Sequence, residues 1–428
     1  MAVVQNPKIN LLFEAIPVVL AVIVLNWWLA IWLLHLLGIC YSKWKFYHRK
    51  CTLGNRDTPY PGVSILKPLV GADPNLSHNL ESFFQLNYPK FEILFCLQSP
   101  DDPARPIVDD LRRKYANVDS QVFVGGEEVG LNPKINNLMP AYRAAKHELV
   151  LISDAGMKMR PDTLTDMVET MTDKVGMVTQ MPFACDRKGF ASTIEKVYFG
   201  TGHTRLYMTA HMFRLVCTTG MSSLIRKSAL DECGGLQAFG IYLAEDYFMG
   251  KFLHTRGWRC AVASQPGWQN HANASCGAFN RRICRWTKLR MSMLPHTAIL
   301  EPLQDCFLLG VLSTVAAQYV FDLTLVNCLS FFGIHIAVWM VLDWLILTVV
   351  QRSPLPCNPI YFVISWFYLQ FTAIPIMLVA LFDPSIKWKA GTFRLKWGGL
   401  VVKLKDFPEI EETDSLKDSG RISPIIPA

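Results

Sequence analysis

Acidic residues stand where apolar runs end. Gln98, Asp101 and Asp102 follow Phe91 to Leu97, Asp154 closes the run LVLISD ahead of Ala155 and Gly156, and Glu245 and Asp246 lie in AEDYF after the turn Gly234-Gly235. Packing explains such carboxylates poorly, because burying an unpaired charge costs several kcal/mol. Asp154 could cap a turn, but Gly156 lets a ligand approach closely; Asp102, just before Pro103, could serve equally as a helix N-cap. The other chemical constellation is cationic: Arg281, Arg282, Arg285, Lys288 and Arg290 surround Ile283, Trp286, Leu289 and Met293. The apolar positions recur every three or four residues, which predicts an amphipathic basic helix over Asn280 to Leu294. Such a helix is attracted to anionic lipid; the planar forks of Arg282 and Arg285 could also hold a diphosphate, with Trp286 covering a ring.

The elements that must position these groups alternate. Val63 to Val70, Phe91 to Leu97, Gln121 to Val124, Glu148 to Ser153 and Val175 to Gln180 read as strands. Leu76 to Leu86, Pro103 to Tyr115 and Ile135 to Lys146 have helical apolar spacing, and Asp162 is placed to cap a further helix. Strands and helices in this order predict an α/β fold with a mostly parallel, doubly wound sheet. Ligands in such sheets bind beyond the carboxyl ends of the strands, where the acids stand.

The whole chain of 428 residues is 51% hydrophobic and 18% charged, which excludes a disordered or wholly soluble protein. Ala15 to Cys40 has no Asp, Glu, Lys or Arg, and Cys306 to Phe382 carries only Asp322, Asp343 and Arg352 as charges. Both regions are long enough to cross a bilayer. Lys43, Lys45, Arg49 and Lys50 follow the first span, against Lys8 and Glu14 before it, so the positive-inside rule puts the N-terminus in the lumen and the central domain in the cytosol. Cys306 to Phe321 is short for a span and reads as interfacial, whereas Leu323 to Val350 and Ile360 to Phe382 are long enough to cross; the basic residues between Ser385 and Lys405 then favour a cytosolic tail. The expected division is a lumenal 1–14, an anchor 15–40, a basic linker 41–61, a catalytic domain 62–296, a membrane region 297–382, a basic juxtamembrane segment 383–405 and a disordered 406–428. The 12 cysteines form no CxxC pair, which argues against a disulfide framework or structural zinc. The net charge of +7 is spread over a membrane protein and gives no footprint for nucleic acid.

The segments LKPLVG, FCLQSPDDPA, NPKINNLMPAY, ISDAG, AEDYFMGK and RICRWTKLR, in this order, resemble the ceramide glucosyltransferases, membrane-anchored glycosyltransferases of GT-A type with a Rossmann-like sheet. Asp102, Asp154, Asp246 and Arg282 to Trp286 fill that family's D, D, D and (Q/R)xxRW pattern. The likeness runs from about Gly62 to Gly399 and includes DPSIKWKAGTFRLKWGG; where the family commonly has Asp-His before the DDP step, this chain has Ser99-Pro100. The resemblance implies transfer of glucose from UDP-glucose to the primary hydroxyl of ceramide with inversion, at a Golgi membrane with the catalytic domain facing the cytosol. It implies Asp246 as the base for the attacking hydroxyl, Asp154 as the oxygen ligand of Mg²⁺ or Mn²⁺, and Arg282 and Arg285 on the leaving UDP with Trp286 at the acceptor mouth. Asp102 and Lys134 fall on the nucleotide side, Glu245 beside the base, and His203 near the active site or in a structural loop. Another lipid-directed GT-A glycosyltransferase and a non-catalytic membrane scaffold are the alternatives.

Overall fold

The structure, a computed structural model, describes residues 7–48, 59–272, 275–388 and 391–405. Arg49, Lys50 and the tail 406–428 lie outside these residues.

The central sheet contains β1 (Val63–Leu69), β2 (Phe91–Leu97), β3 (Ser120–Val124), β4 (Leu149–Ser153), β5 (Val175–Thr179), β6 (Ser222–Arg226) and β7 (Arg259–Val262), in the order β3-β2-β1-β4-β6-β5-β7. β1 pairs in parallel with β2 and β4, β2 with β3, and β5 with β7. Only β6 runs antiparallel to its neighbours in this sheet; the chain reaches it through the long excursion after β5, so it enters from the opposite end. Val63 is opposite both Phe91 and Leu149, and this shared register brings the carboxyl ends of β1, β2 and β4 to one edge. Gly71, Asp102 and Asp154 therefore emerge together. Leu149, Val150, Leu151 and Ile152 of β4 are all buried, each side chain contributing roughly 1.5–3 kcal/mol, which holds the turn after the strand on a rigid base. Asp162 does not cap the helix Thr163–Thr170. Its carboxylate instead accepts from Gln265 Nε2 at 2.8 Å.

The anchor helix Pro7–Tyr47 packs on the helix Cys306–Phe321, on the helix Leu325–Gln351, and on Thr204–Met212 of the central domain. Ala15–Tyr47, Leu325–Gln351 and Pro359–Phe382 are long and apolar enough to span a bilayer, and Thr297–Gln304 with Cys306–Phe321, bent by 74°, could form another span. The chain is a membrane protein. The short segment Cys306–Phe321 is the first arm of a hairpin that turns at Asp322, in left-handed conformation, and returns as Leu325–Gln351. The chain on either side of Pro359–Phe382 is tied to the central domain. Arg352 Nη2 donates to Ser264 O at 3.1 Å just before it, and Lys288 Nζ donates to Asp383 at 2.7 Å just after it. Midway, Asn280 Nδ2 donates to the Tyr368 hydroxyl at 2.7 Å.

The expected basic juxtamembrane segment is a folded unit. Ser385–Trp388, Gly391–Leu395 and Val401–Lys405 form an antiparallel sheet that shares a small core with Leu243 and Leu289. The amides of Gly398 and Gly399 donate to Ser292 O at 2.9 and 3.2 Å. A Cβ on Gly399 would stand 2.6 Å from the Phe248 ring and 3.0 Å from Met293 Cγ, so glycine is what lets this sheet close on the helix bearing the arginines, which ends at Met293.

Candidate active site

Asn132 begins the construction of the site. Its side-chain oxygen Oδ1 accepts from the amides of Lys134 and Ile135 at 2.9 and 3.3 Å, with Pro133 opening the helix Pro133–Ala144, an arrangement favoured at helix starts. Its Nδ2 donates to Glu245 at 3.0 Å. Lys134 is thus aimed back across the sheet edge, where its Nζ donates to Asp154 Oδ1 at 2.8 Å, Glu245 Oε1 at 3.0 Å and Gly220 O at 2.8 Å. All the protons of one ammonium are committed. Burial alone would push this ammonium's pKa down, but Asp154 and Glu245 outweigh burial and hold it above the usual lysine range.

Asp246 follows Glu245 in the first turn of the helix Glu245–Thr255. Burial and then the neighbouring Glu245 push its pKa up to about 7, against the opposing pull of Lys134. The cluster holds one lysine against the carboxylates of Asp154, Glu245 and Asp246, so negative charge is left over. That suits it to receive a cation or a proton. A Cβ on Gly220 would lie 3.2 Å from both Lys134 Nζ and Glu245 Oε1. Behind the cluster, the buried Lys67 donates to Asp154 O at 2.7 Å and lies 3.8 Å over the Phe83 ring; burial lowers its pKa to about 7.

Asp102 reaches the same edge but is fastened to backbone. It accepts from Gly71 N at 3.0 Å and Ala104 N at 2.9 Å, and it is buried; it fixes the loops beyond β1 and β2. Arg282 pairs with Glu195 at 2.7 Å and lies 5.5 Å from the Trp286 ring. Glu195 also holds Arg187, and Arg187 donates to the carbonyl of His271. The His271 ring sits over Gly156, where a Cβ would come within 2.1 Å of it. The basic helix is therefore linked through Glu195, Arg187 and His271 to the Asp154 turn, a relay that sequence spacing does not reveal. Arg285 is different: among the described residues it has no ion pair or hydrogen bond, and burial followed by Arg282 lowers its guanidinium pKa. It is a cation held without a counter-charge.

Residues 30–401 match the sequence profile of glycosyl transferase family 21. The chain belongs to this family. Among similar proteins, ceramide glucosyltransferase 3 of Caenorhabditis elegans is 44% identical over 377 residues, covering 88% of this chain and 81% of that protein. Ceramide glucosyltransferase 1 of the same organism is 42% identical, covering 90% and 82%, and the ceramide glucosyltransferase of Komagataella phaffii is 27% identical, covering 88% and 90%. The fold is shared with a mannosyltransferase from Pyrobaculum calidifontis in complex with GDP-Man and Mn²⁺, with a TM-score of 0.50 and 16% identity over 85% of this chain and 99% of that one. The GT-A-like fold expected from the sequence is thus borne out, and the family 21 enzyme acts on a nucleotide sugar and an acceptor.

In this family 21 glycosyltransferase the basic helix, Cys276–Met293, has its other side on a cavity. The space is about 220 Å³, and lies between that helix, the π turn Phe199–His203 and the later half of Pro359–Phe382. His203 is partly buried against Tyr198, Phe199 and Tyr207. Its Nε2 is buried without a partner, and burial, then Arg290, lowers its pKa to about 3, so the ring is neutral. Arg290 lines the same cavity and pairs with Glu301.

Proposed function

We propose that the enzyme transfers glucose from UDP-glucose to the primary hydroxyl of ceramide, with inversion at the anomeric carbon. The observation that carries the mechanism is Asp246, a carboxyl with a pKa near 7 beside a lysine-bridged acid pair. The relatives named ceramide glucosyltransferase support the choice of donor and acceptor. The ceramide hydroxyl oxygen attacks the anomeric carbon as its proton passes to Asp246, a base whose pKa matches neutral operation. The bond from that carbon to the diphosphate oxygen breaks, and its electron pair leaves with UDP. Lys134 keeps Asp154 and Glu245 oriented, and Arg285 supplies an unneutralised guanidinium for the leaving diphosphate. Arg282, held by Glu195, positions Trp286; Asp102 positions the loops on the nucleotide side.

A divalent cation fits this site only together with the substrate. The described residues include no group of three or more His, Cys, Asp or Glu side chains able to hold a metal alone, but Mg²⁺ and Mn²⁺ are commonly held by one or two carboxylates completed by substrate phosphates. Asp154, with side-chain exposure of 38%, is the residue that would hold it. Such an ion supplies charge neutralisation on the departing diphosphate.

The residues flanking Pro359–Phe382, Arg352 before it and Asp383 after it, are both bonded to the central domain, which supports an orientation in which this helix lies along the membrane surface while the anchor and the hairpin cross. Catalytic domain and C-terminal sheet then share one side, read as the cytosol of a Golgi membrane. The test is a radiolabelled transfer assay in purified membranes with UDP-glucose, UDP-galactose or GDP-mannose against ceramide, with and without chelator. Glucosylceramide should form only from UDP-glucose and depend on divalent metal. Equal use of UDP-galactose, or no labelled ceramide product, would defeat the reading.

A further inference from the structure

The cavity beside the basic helix has walls of two kinds. Phe279, Ile283, Leu369, Ile376 and Met377 give it an apolar side, whereas Arg205, Arg290, Glu301, Asp305 and Asp343 give it charge. These charges are already assigned. Arg290 pairs with Glu301; Arg205 Nη1 donates to Asp343 Oδ1 at 2.8 Å; Asp305 accepts from the amides of Phe307 and Leu308 at 3.0 and 3.1 Å. His203 is neutral. No cation lining the cavity is left without an acid, in contrast to Arg285. A phosphorylated lipid head placed here would meet more carboxylates than cations and would have to be desolvated without compensation.

Arg205 offers a donor fixed in place. Arg205 spends Nη1 on Asp343 and His35, while its Nη2 makes no hydrogen bond among the described residues, and the residue lines the cavity. A guanidinium fixed on one side by a carboxylate and offering N–H groups on the other suits a neutral carbonyl oxygen.

We propose that this cavity is the acceptor-lipid site, that its paired charges admit an uncharged head and reject a phosphorylated one, and that Arg205 Nη2 donates to the amide carbonyl of the lipid. This rests on the proposed transfer to ceramide and adds the site and its selectivity. The chains would lie along the apolar wall formed by Pro359–Phe382, at membrane level, while the hydroxyl extends past His203 towards Asp246.

The experiment uses the full chain in nanodiscs. A diazirine-bearing ceramide should label peptides from the basic helix or from Pro359–Phe382, and Ala373→Trp, which fills the cavity, should abolish that labelling. The same variant should lower kcat/KM for short-chain ceramide by roughly tenfold or more, while the Kd for UDP-glucose stays within about twofold. The double variant Arg205→Gln, Asp343→Asn, which leaves no buried charge unpaired, should lower the acceptor kcat/KM by roughly 10–100-fold, as expected for one hydrogen bond to a charged donor. Ceramide 1-phosphate should not compete. Labelling unaffected by Ala373→Trp, an unchanged acceptor KM, or competition by ceramide 1-phosphate equal to that of ceramide would overturn the inference. Cavity labelling without glucose transfer by the wild-type chain would leave the site standing and overturn the proposed reaction instead.

Discussion

Asp246 and Asp343 are both aspartates withdrawn from water, and they are handled in opposite ways. Asp246 shares one lysine with Asp154 and Glu245, so the local sum stays negative and its carboxyl holds a proton up to about pH 7. Asp343 is met from every side: Arg205 at 2.8 Å, the His35 ring at 3.2 Å and the Trp366 indole N–H at 2.8 Å. Its partners come from the anchor helix, from Thr204–Met212 and from Pro359–Phe382, so the cluster pins membrane helices to the domain that carries the chemistry. Undercompensation leaves a group able to change protonation during turnover; full compensation makes a fastener.

Mutations that remove the same charge from the two places should therefore act with opposite sign on stability. Asp246→Asn should reduce transfer by roughly 10²–10⁴-fold, the range for a lost general base, yet raise the thermal midpoint at pH 8 by about 2–4 °C. The sign follows from linkage: with its pKa raised from 3.8 to about 7, the folded state binds the proton more tightly than the unfolded chain, so stability is lost as pH rises through that window. Unchanged transfer would end the assignment of the base. Asp343→Ala should destabilise by about 3–5 kcal/mol, because Arg205 is left buried and unpaired; thermal unfolding in nanodiscs measures this, and an unchanged midpoint would show that the fastener carries no load. Arg285→Gln should raise the UDP-glucose KM about tenfold with little change in midpoint, since no ion pair is broken among the described residues. The smallest effect is on the pH profile. Wild-type transfer should rise with pH through about 7 as Asp246 loses its proton, and Glu245→Gln should move that limb down by about one pH unit by removing a neighbouring negative charge.

The parallel sheet was legible because its strands are short apolar runs separated by helical spacing, and Asp154, Glu245 and Asp246 could be picked out because charge after such a run has no packing explanation. Lys134 could be placed on the site through its motif, but not as the bridge: the oxygens it joins come from segments far apart in the chain. Arg282 looked like a phosphate ligand because guanidinium chemistry can be read locally, while the partner that claims it, Glu195, is 87 residues away. Pro359–Phe382 is long and apolar enough to cross, and hydropathy reports that much; the bond of its Tyr368 to Asn280, and that of Lys288 to Asp383 just beyond it, depend on tertiary neighbours. The cavity charges show the same limit, since pairing between Arg205 and Asp343 spans 138 residues.

The C-terminal sheet sets an order of assembly. Asp383 and the glycines at 398 and 399 hold Lys288 and Ser292, and the Lys288–Asp383 bond closes a separation of 95 residues that contains the hairpin and Pro359–Phe382. During synthesis the arginine-bearing helix emerges well before its clamp, and closing so long a loop waits on the membrane segments between them. The acid cluster can form early, while the arginine-bearing helix is secured only after the chain has settled in the bilayer. A chain ended after Phe382 should insert in membranes yet transfer little sugar; full transfer by that shortened chain would show that the clamp is dispensable. Activity in the intact protein then doubles as a report that membrane integration is complete.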